Sequence, residues 1–334
     1  MTHRKRIALS LPAPGGDVPG TIELAQAAEA AGYDDLWLAD AGGLDALTLT
    51  PMLLEKTDKV RIGIAVVPAY TRTPAVLAST LSVIAQGYPG RFVPGLGTSS
   101  HTIIEGWHGL KLEKPLTRMK ETMTLMRSIM AGEKTAFEGE TLRSNGYRQG
   151  PVEDMPIYLA ALRPRMIEVA AELADGVILN LFPRPALPRI MEHVAIGAER
   201  AGKKPEDVEI VCRHMMAVTD DKALGREAFR AAFVSYYSTP VYNKFLSWAG
   251  YEDAANEIRE GWAAKDRERT AAALPDELVD EIALIGSAEE TRELMRWYAD
   301  SGIHTNIVSC VYPTPEIFQA TFDAFTPENF SFYR

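Results

Sequence analysis

Short apolar segments alternate with amphipathic segments along most of the chain. Eight apolar segments have the length and β-branched content of strands: residues 6–11, 35–39, 60–67, 91–96, 156–160, 176–180, 209–218 and 303–311. The run IGIAVV at residues 62–67 is apolar throughout, which is typical of a strand covered on both faces. Amphipathic segments follow these strands, and Pro74, Pro115 and Pro164 stand where helices are expected to begin.

Eight strand and helix pairs predict a closed (β/α)8 TIM barrel. A doubly wound sheet is the alternative, because strand order cannot be read from one sequence. Two regions exceed simple connectors: residues 133–155 have the glycines of a hairpin and loop, and residues 223–278 are helical and rich in aromatic residues. Because barrels of about 250 residues or more form one unit, we expect a single domain over residues 1–334, with these regions as insertions.

Composition and charge exclude several classes of partner. The formal net charge of −10 disfavours nucleic acid or an anionic membrane as the main partner, since either would repel this surface. No stretch approaches the roughly 18 apolar residues of a membrane-spanning helix. Cys212 and Cys310 lie far apart in apolar segments, which favours two buried, reduced thiols. We therefore expect a cytoplasmic protein that binds a small-molecule substrate.

Polar residues and glycines follow several predicted strands, at the end where barrel active sites lie. Asp40 follows the apolar run at residues 36–39, either as a residue of the barrel mouth or as a cap for the next turn. Pro68 cannot donate to a strand ladder, so regular pairing must end or bulge there. Gly97 allows close backbone approach, and the hydroxyls of Thr98 and Ser99 offer donors to a phosphate or a polar ring edge.

The fifth predicted strand ends in two small residues, Ala160 and Ala161, which leave room for a flat ring against the backbone. Arg163 and Arg165 follow, either to reach an anionic tail or as solvated surface residues. Of the six histidines, His101 and His108 are of most interest because they flank the fourth-strand loop. The patterns GxSxG, GxxxxGK[ST], HExxH and GxGxxG are absent, which disfavours a nicotinamide Rossmann enzyme.

The stretch RFVPGLGTSS at residues 91–100, followed by EGWHG at 105–109, resembles the luciferase-like monooxygenase superfamily. More narrowly, it is similar to the branch that uses the deazaflavin coenzyme F420, alongside methylenetetrahydromethanopterin reductase. Further segments match in order and spacing over most of the chain: YDDLWLAD at 33–40, YTRTP at 70–74, PIYLAA at 156–161, ADG at 174–176 and IGSAEE at 285–290.

This resemblance implies an α/β barrel with insertions, often dimeric, that passes a hydride between coenzyme F420 and a small organic substrate. By position, Asp40 would contact the coenzyme, and the Ala65–Val66 peptide would be a non-prolyl cis bulge behind the deazaflavin ring. The other implied coenzyme contacts are Gly97, Thr98, Ser99, Ala160, Ala161, Leu162 and Arg163. For proton transfer or ring polarisation, the polar candidates are Asp40, Thr98, Ser99 and His108.

Three departures separate this sequence from the relatives with known substrates. Ala41 follows Asp40, where enzymes that oxidise a sugar phosphate have a histidine. Leu162 and Arg163 replace their double glycine, and Ser10 stands where the reductase has an acidic residue in its first strand. The proton donor and the substrates of those relatives therefore do not carry over.

Three hypotheses remain open from the sequence. The first is an F420-dependent oxidoreductase, in which the protein binds and orients and the coenzyme supplies the two-electron chemistry. The second is a monooxygenase of the same superfamily that uses reduced flavin mononucleotide (FMN) and oxygen. The third is a flavin-binding or ligand-binding protein without turnover. The identity of the bound coenzyme separates the first two, and hydride transfer to an acceptor separates both from the third.

Overall fold

The computed structural model describes residues 3–13, 15–153, 155–311 and 314–333. Eight parallel strands close into a ring: β1 (Arg6–Leu11), β2 (Asp35–Leu38), β3 (Arg61–Pro68), β4 (Phe92–Gly97), β7 (Tyr158–Ala160), β8 (Gly176–Asn180), β9 (Glu209–Val218) and β11 (Thr305–Cys310). The ring closes because β9 pairs with both β8 and β11, and β11 pairs with β1. The fold is the predicted (β/α)8 barrel, and the doubly wound alternative is wrong.

Helices surround this ring. Those of the barrel are α1 (Val18–Ala30), α2 (Ala46–Lys56), α3 (Pro74–Gly87), α4 (Pro115–Met130), α5 (Pro164–Leu173), α6 (Leu187–Arg200), α12 (Ala288–Asp300) and α13 (Pro315–Ala324). The predicted helix starts at Pro74, Pro115 and Pro164 are confirmed, since each proline is the first helical residue, where its missing N–H costs no hydrogen bond.

Two regions depart from the simple alternation. A hairpin, β5 (Ala136–Glu138) and β6 (Arg143–Asn145), lies in the region 133–155, of which Asp154 is outside the described residues. Five helices occupy the region 223–278 and a few residues beyond it: α7 (Lys222–Ser238), α8 (Pro240–Trp248), α9 (Glu252–Ala263), α10 (Arg267–Ala272) and α11 (Asp276–Ile282). A short strand, β10 (Leu284–Gly286), then pairs with the carboxyl end of β9. This strand was not among the eight predicted from the sequence.

The predicted strand bounds are close to the observed ones. Those of β1, β8 and β9 agree fully, and the fifth predicted strand begins two residues too early, since β7 starts at Tyr158. Strand β3 ends at Pro68, as expected from its missing donor, but its irregularity lies earlier, between Ile64 and Val67. The register shift spans the Ala65–Val66 peptide, which is cis. Pro68 is the last residue of β3, and Ala69 N–H still donates to the carbonyl of Gly97 at 2.9 Å.

Side chains fill the barrel interior. Trp37 is the largest and packs with Val93, Tyr158, Val211 and others, all nearly inaccessible to solvent. Gly63 makes room for the indole, because a Cβ there would lie 2.4 Å from a Trp37 ring carbon. The barrel is therefore a packed core rather than a pore, and a ligand can enter only at a mouth.

A buried ionic network lies at the amino ends of the strands. The Arg61 guanidinium lies 2.7 Å from a carboxylate oxygen of Asp35 and 2.8 Å from one of Glu209. Arg6 donates to the second Asp35 oxygen at 2.8 Å, and Thr305 and Tyr158 donate to Glu209. Burial alone would raise the pKa of Glu209, but the hydrogen bond and charge of Arg61 hold it at about 2. This end of the barrel is sealed by charge pairing.

Candidate active site

The carboxyl ends of the barrel strands carry a small apolar surface formed by Val66, Gly97 and Ala160. A Cβ on Gly97 would lie 2.5 Å from a methyl carbon of Val66 and 3.5 Å from Cβ of Ala160, so the three residues are in contact. Val66 and Ala160 are partly buried and pack on the interior cluster below. We call this surface the apolar floor. The cis Ala65–Val66 peptide, implied by resemblance alone, is confirmed and leads directly into it.

Asp40 lies just past the end of β2, the strand next to the β3 strand that carries Val66, and 12% of its side chain is exposed. Its carboxylate accepts a hydrogen bond from Arg72 at 2.9 Å, and Arg72 also pairs with Asp45. Asp45, not Asp40, caps helix α2, since it accepts from the backbone N–H of Thr48 at 2.7 Å. Asp40 also contacts this turn, since its other carboxylate oxygen accepts from the backbone N–H of Ala46, the first residue of α2, at 3.5 Å. The carboxylate at the mouth is thus oriented by Arg72 and by the start of α2.

The loop after β4 turns sharply at Ser99, which has a left-handed φ of 61°. Thr98 and Ser99 are partly exposed, so both hydroxyls can reach a ligand. A π-helix (Thr102–Trp107) follows and brings the Trp107 ring against Gly42 in the β2 to α2 loop, where a Cβ would lie 2.9 Å from the indole. The two loops that carry Asp40 and Ser99 are thus joined on one side of the mouth.

His101 and His108 are both exposed and flank this π-helix. No hydrogen bond connects the His108 ring to another side chain within the described ranges. Its predicted part in proton transfer stays a prediction without geometric support.

The end of β7 divides its residues between two faces. Ala160 faces the barrel interior, while Ala161 is buried in the outer core between strands and helices. Strand alternation explains this split. Leu162 packs against the outer core, and Arg163 is exposed at the start of α5. Only Ala160 of these four residues offers its side chain to the apolar floor, and the predicted contacts of Ala161 can involve backbone alone.

A polar group that was not predicted from the sequence lies at the carboxyl ends of β8 and β11 and on β9 between them. We call it the polar arc, and it consists of Asn180, Arg213, Ser309 and Tyr242. Asn180 and Arg213 are paired in register on β8 and β9, and Arg213 Nε donates to Ser309 Oγ at 3.0 Å. The Asn180 amide lies 3.3 Å from the hydroxyl of Tyr242 on α8. A cation in the middle of a mostly apolar strand was the available signal, since Arg213 shares the inward face of Val211.

The two cysteines are free, as expected, but only Cys212 is buried, while Cys310 is partly exposed at the end of β11. Within the described ranges, no group of three or more His, Cys, Asp and Glu side chains could hold a metal ion. Nor does any helix there have the length and apolarity to cross a membrane.

A parallel (β/α)8 barrel with an apolar floor, an oriented carboxylate and a polar arc at its mouth is the architecture of an enzyme that binds a small molecule. The family model of luciferase-like monooxygenases matches residues 3–305. The chain belongs to this family and is an oxidoreductase.

Relatives agree with this assignment. The 5,10-methylenetetrahydromethanopterin reductase of Methanolobus tindarius is 26% identical over 300 residues, covering 89% of this chain and 91% of that protein. The F420-dependent glucose-6-phosphate dehydrogenase of Mycolicibacterium gilvum is 28% identical over 284 residues, covering 78% and 83%. The coenzyme F420-dependent tetrahydromethanopterin reductase of Methanopyrus kandleri has the same fold, with a TM-score of 0.80 at 18% identity over 97% and 98% of the two chains.

Proposed function

We propose that this protein is a coenzyme F420-dependent oxidoreductase that transfers a hydride between the deazaflavin and a small organic substrate. The observation that carries the proposal is the apolar floor of Val66, Gly97 and Ala160 beside Asp40. A flat ring needs a smooth apolar surface with polar groups only at its edge. The naming of a sequence relative as F420-dependent supports the same coenzyme.

The residues of the mouth fit such a group. The floor is flat because Gly97 has no side chain, and any Cβ there would fill the space above Val66 and overlap it. Asp40, Thr98 and Ser99 lie at its edge, where they can hydrogen-bond polar ring atoms. When bound, a deazaflavin supplies two-electron hydride chemistry, and the chain's part is to bind, orient and exclude water.

Asp40 and Arg72 set the electrostatics beside the floor. The guanidinium pairs with the carboxylates of both Asp40 and Asp45, which orients the Asp40 carboxylate as a hydrogen-bond acceptor at the mouth. We assign Asp40 to coenzyme orientation. Thr98 and Ser99 are the hydroxyl candidates for proton transfer, and Ser99 is held in its turn by a left-handed backbone.

A monooxygenase that uses FMN is less well supported. The relatives with curated names reported above are reductases and dehydrogenases, and the dehydrogenase is named for F420. We also propose that the chain is one luciferase-like domain, acts in the cytoplasm and forms a homodimer, as the resemblance implies.

The deciding experiment is a titration of the purified full chain with oxidised F420 and, separately, with FMN, followed by fluorescence and calorimetry. We expect micromolar or tighter binding of F420 and at least about tenfold weaker binding of FMN, a difference of about 1.4 kcal/mol. A preference for FMN would overturn the assignment in favour of the monooxygenase. Binding of neither would remove both.

A further inference from the structure

Arg213 is a cation inside the barrel mouth that has no counterion among the residues that the structure describes. It projects from the middle of β9 on the same face as Val211, which packs in the barrel interior. Met215, two residues further, packs against the helical insertion. The guanidinium therefore lies between the filled barrel and the helices that cover it, next to the space where a substrate would enter.

No carboxylate neutralises this cation among the residues that the structure describes. Its one side-chain hydrogen bond is to the neutral Ser309 hydroxyl at 3.0 Å, and the ionisable groups that act on it are the phenols of Tyr236 and Tyr242. Burial raises the pKa of Tyr242 to about 12, so this phenol is uncharged at neutral pH. Burial also lowers the pKa of Arg213, as expected for a cation without a partner.

Arg61 at the opposite end of the same barrel shows the contrast. It is similarly enclosed, with 13% of its side chain exposed, but it contacts two carboxylates within 2.8 Å. A charge removed from water without a partner is costly, and proteins retain one where a ligand completes the pairing. Arg61 has the two carboxylate partners of a structural ion pair, whereas Arg213 has its charge available for a ligand.

A second unsatisfied group lies beside it. Asn180, the register neighbour of Arg213, has a buried side-chain oxygen with no hydrogen-bond partner. Its amide nitrogen is 3.3 Å from the Tyr242 hydroxyl. If the amide is rotated, the same contact holds the oxygen and leaves the nitrogen as a free donor. Either way, one amide atom and the guanidinium are available to a ligand at adjacent positions.

We propose that the polar arc binds an anionic oxygen group of the substrate, a carboxylate or a phosphate, through the guanidinium of Arg213 with Asn180 and Tyr242 as neutral partners. A planar guanidinium matches both anions with paired hydrogen bonds. The proposal rests on the proposed function. Asn180 lies on β8, one strand from Ala160 of the apolar floor, and Arg213 lies on β9, two strands from it. There it would hold the substrate by its charged end, and the substrate class becomes small organic acids or phosphate esters.

The test measures binding of simple anions to the full chain, with and without saturating F420. The probes are benzoate, its neutral counterpart benzamide and inorganic phosphate, followed by calorimetry. We expect benzoate or phosphate to bind at least about tenfold more tightly than benzamide to the wild type. Benzoate binding without phosphate binding indicates a carboxylate substrate, and the reverse indicates a phosphate ester.

Arg213→Gln should abolish the preference for the anion while F420 affinity stays within about twofold of the wild type. Arg213→Lys should restore part of the preference, since it keeps the charge without the planar geometry. The matched control is Arg143→Gln in the β5 to β6 hairpin, where the arginine is 81% exposed, and it should leave every value unchanged.

Stability gives an independent measurement. Because Arg213 has no carboxylate partner in the described residues, Arg213→Met should leave the thermal midpoint unchanged or raise it. A loss as large as that of Arg61→Met would make Arg213 structural and overturn the proposal. If neither benzoate nor phosphate bound the wild type more tightly than benzamide, the proposal would also be overturned, as it would by loss of F420 binding in Arg213→Gln. Failure of the proposed function is seen separately, as absence of F420 binding to the wild type.

Discussion

Replacement of Arg61 by methionine should be among the most destabilising single changes in this barrel. Methionine retains much of the side-chain volume and removes the cation that lies between Asp35 and Glu209. Asp35 is fully buried, and Glu209 has 5% of its side chain exposed. Asp35 would keep Arg6, but Glu209 would keep only hydroxyl donors and His3, whose ring nitrogen is 3.7 Å away.

The expected loss of stability can be estimated from the Glu209 carboxylate that Arg61→Met leaves without its cation. Breaking a buried pair by removing one partner costs about 3–5 kcal/mol, because the remaining charge stays uncompensated. Arg61 makes hydrogen bonds to Asp35, Glu209 and Thr305, so the loss should reach the upper part of that range. At roughly 2–4 °C per kcal/mol for a large domain, the thermal midpoint should fall by roughly 10–20 °C.

Urea unfolding followed by circular dichroism measures this loss directly. The matched control is Arg269→Met, which also removes an arginine from two carboxylates, Glu257 and Glu260, but at a position where the arginine is 40% exposed. Such surface pairs contribute about 0–1 kcal/mol, so the control should lose no more than that. F420 binding by folded Arg61→Met should be unchanged, since the network lies at the barrel end away from the mouth.

Equal losses in the two variants would refute the reasoning, because burial would then have no role. A second check uses the triple variant Asp35→Asn, Arg61→Met, Glu209→Gln, which has no charges left to pair among these three residues. It should recover much of the loss of Arg61→Met, since the cost arises from unpaired charge rather than from lost volume.

Two further predictions concern the apolar floor and the pH dependence of stability. Gly97→Val should weaken F420 binding at least about tenfold while costing about 1–3 kcal/mol of stability, because its Cβ would lie 2.5 Å from Val66. The control is Gly87→Ala, whose new Cβ has open space around it. Unchanged F420 affinity in Gly97→Val would remove this residue from the site. Glu209→Gln should lower the free energy of unfolding most above pH 4.5, and its difference from the wild type should shrink as pH falls towards 2, because the folded-state pKa of Glu209 is lowered from 4.5 to about 2. Urea unfolding between pH 2.5 and 7 measures this difference, and a difference independent of pH would contradict it.

Much of the architecture could be predicted from the chain because it depends on local pattern. Apolar runs, proline positions and turn residues located the eight barrel strands, three helix starts and the extent of the helical region. Asp40 and Gly97 could be placed at the mouth because both follow a strand, and barrel geometry puts such positions at one end. The cis Ala65–Val66 peptide came from the family resemblance and not from any local signal.

Which side chains contact one another depended on the tertiary structure. Arg61, Asp35 and Glu209 begin three different strands, and only closure of the barrel brings their side chains together.

The sequence by itself determined the fold class and the family, since both depend on the order and spacing of segments. The polar arc depended on the three-dimensional packing, because Arg213 and Asn180 become neighbours only through the register of β8 with β9. Tyr242 joins them because α8 of the insertion packs over the mouth. Hydrophobic periodicity reports which face of a segment is buried, but it carries no information about which other segment that face will contact.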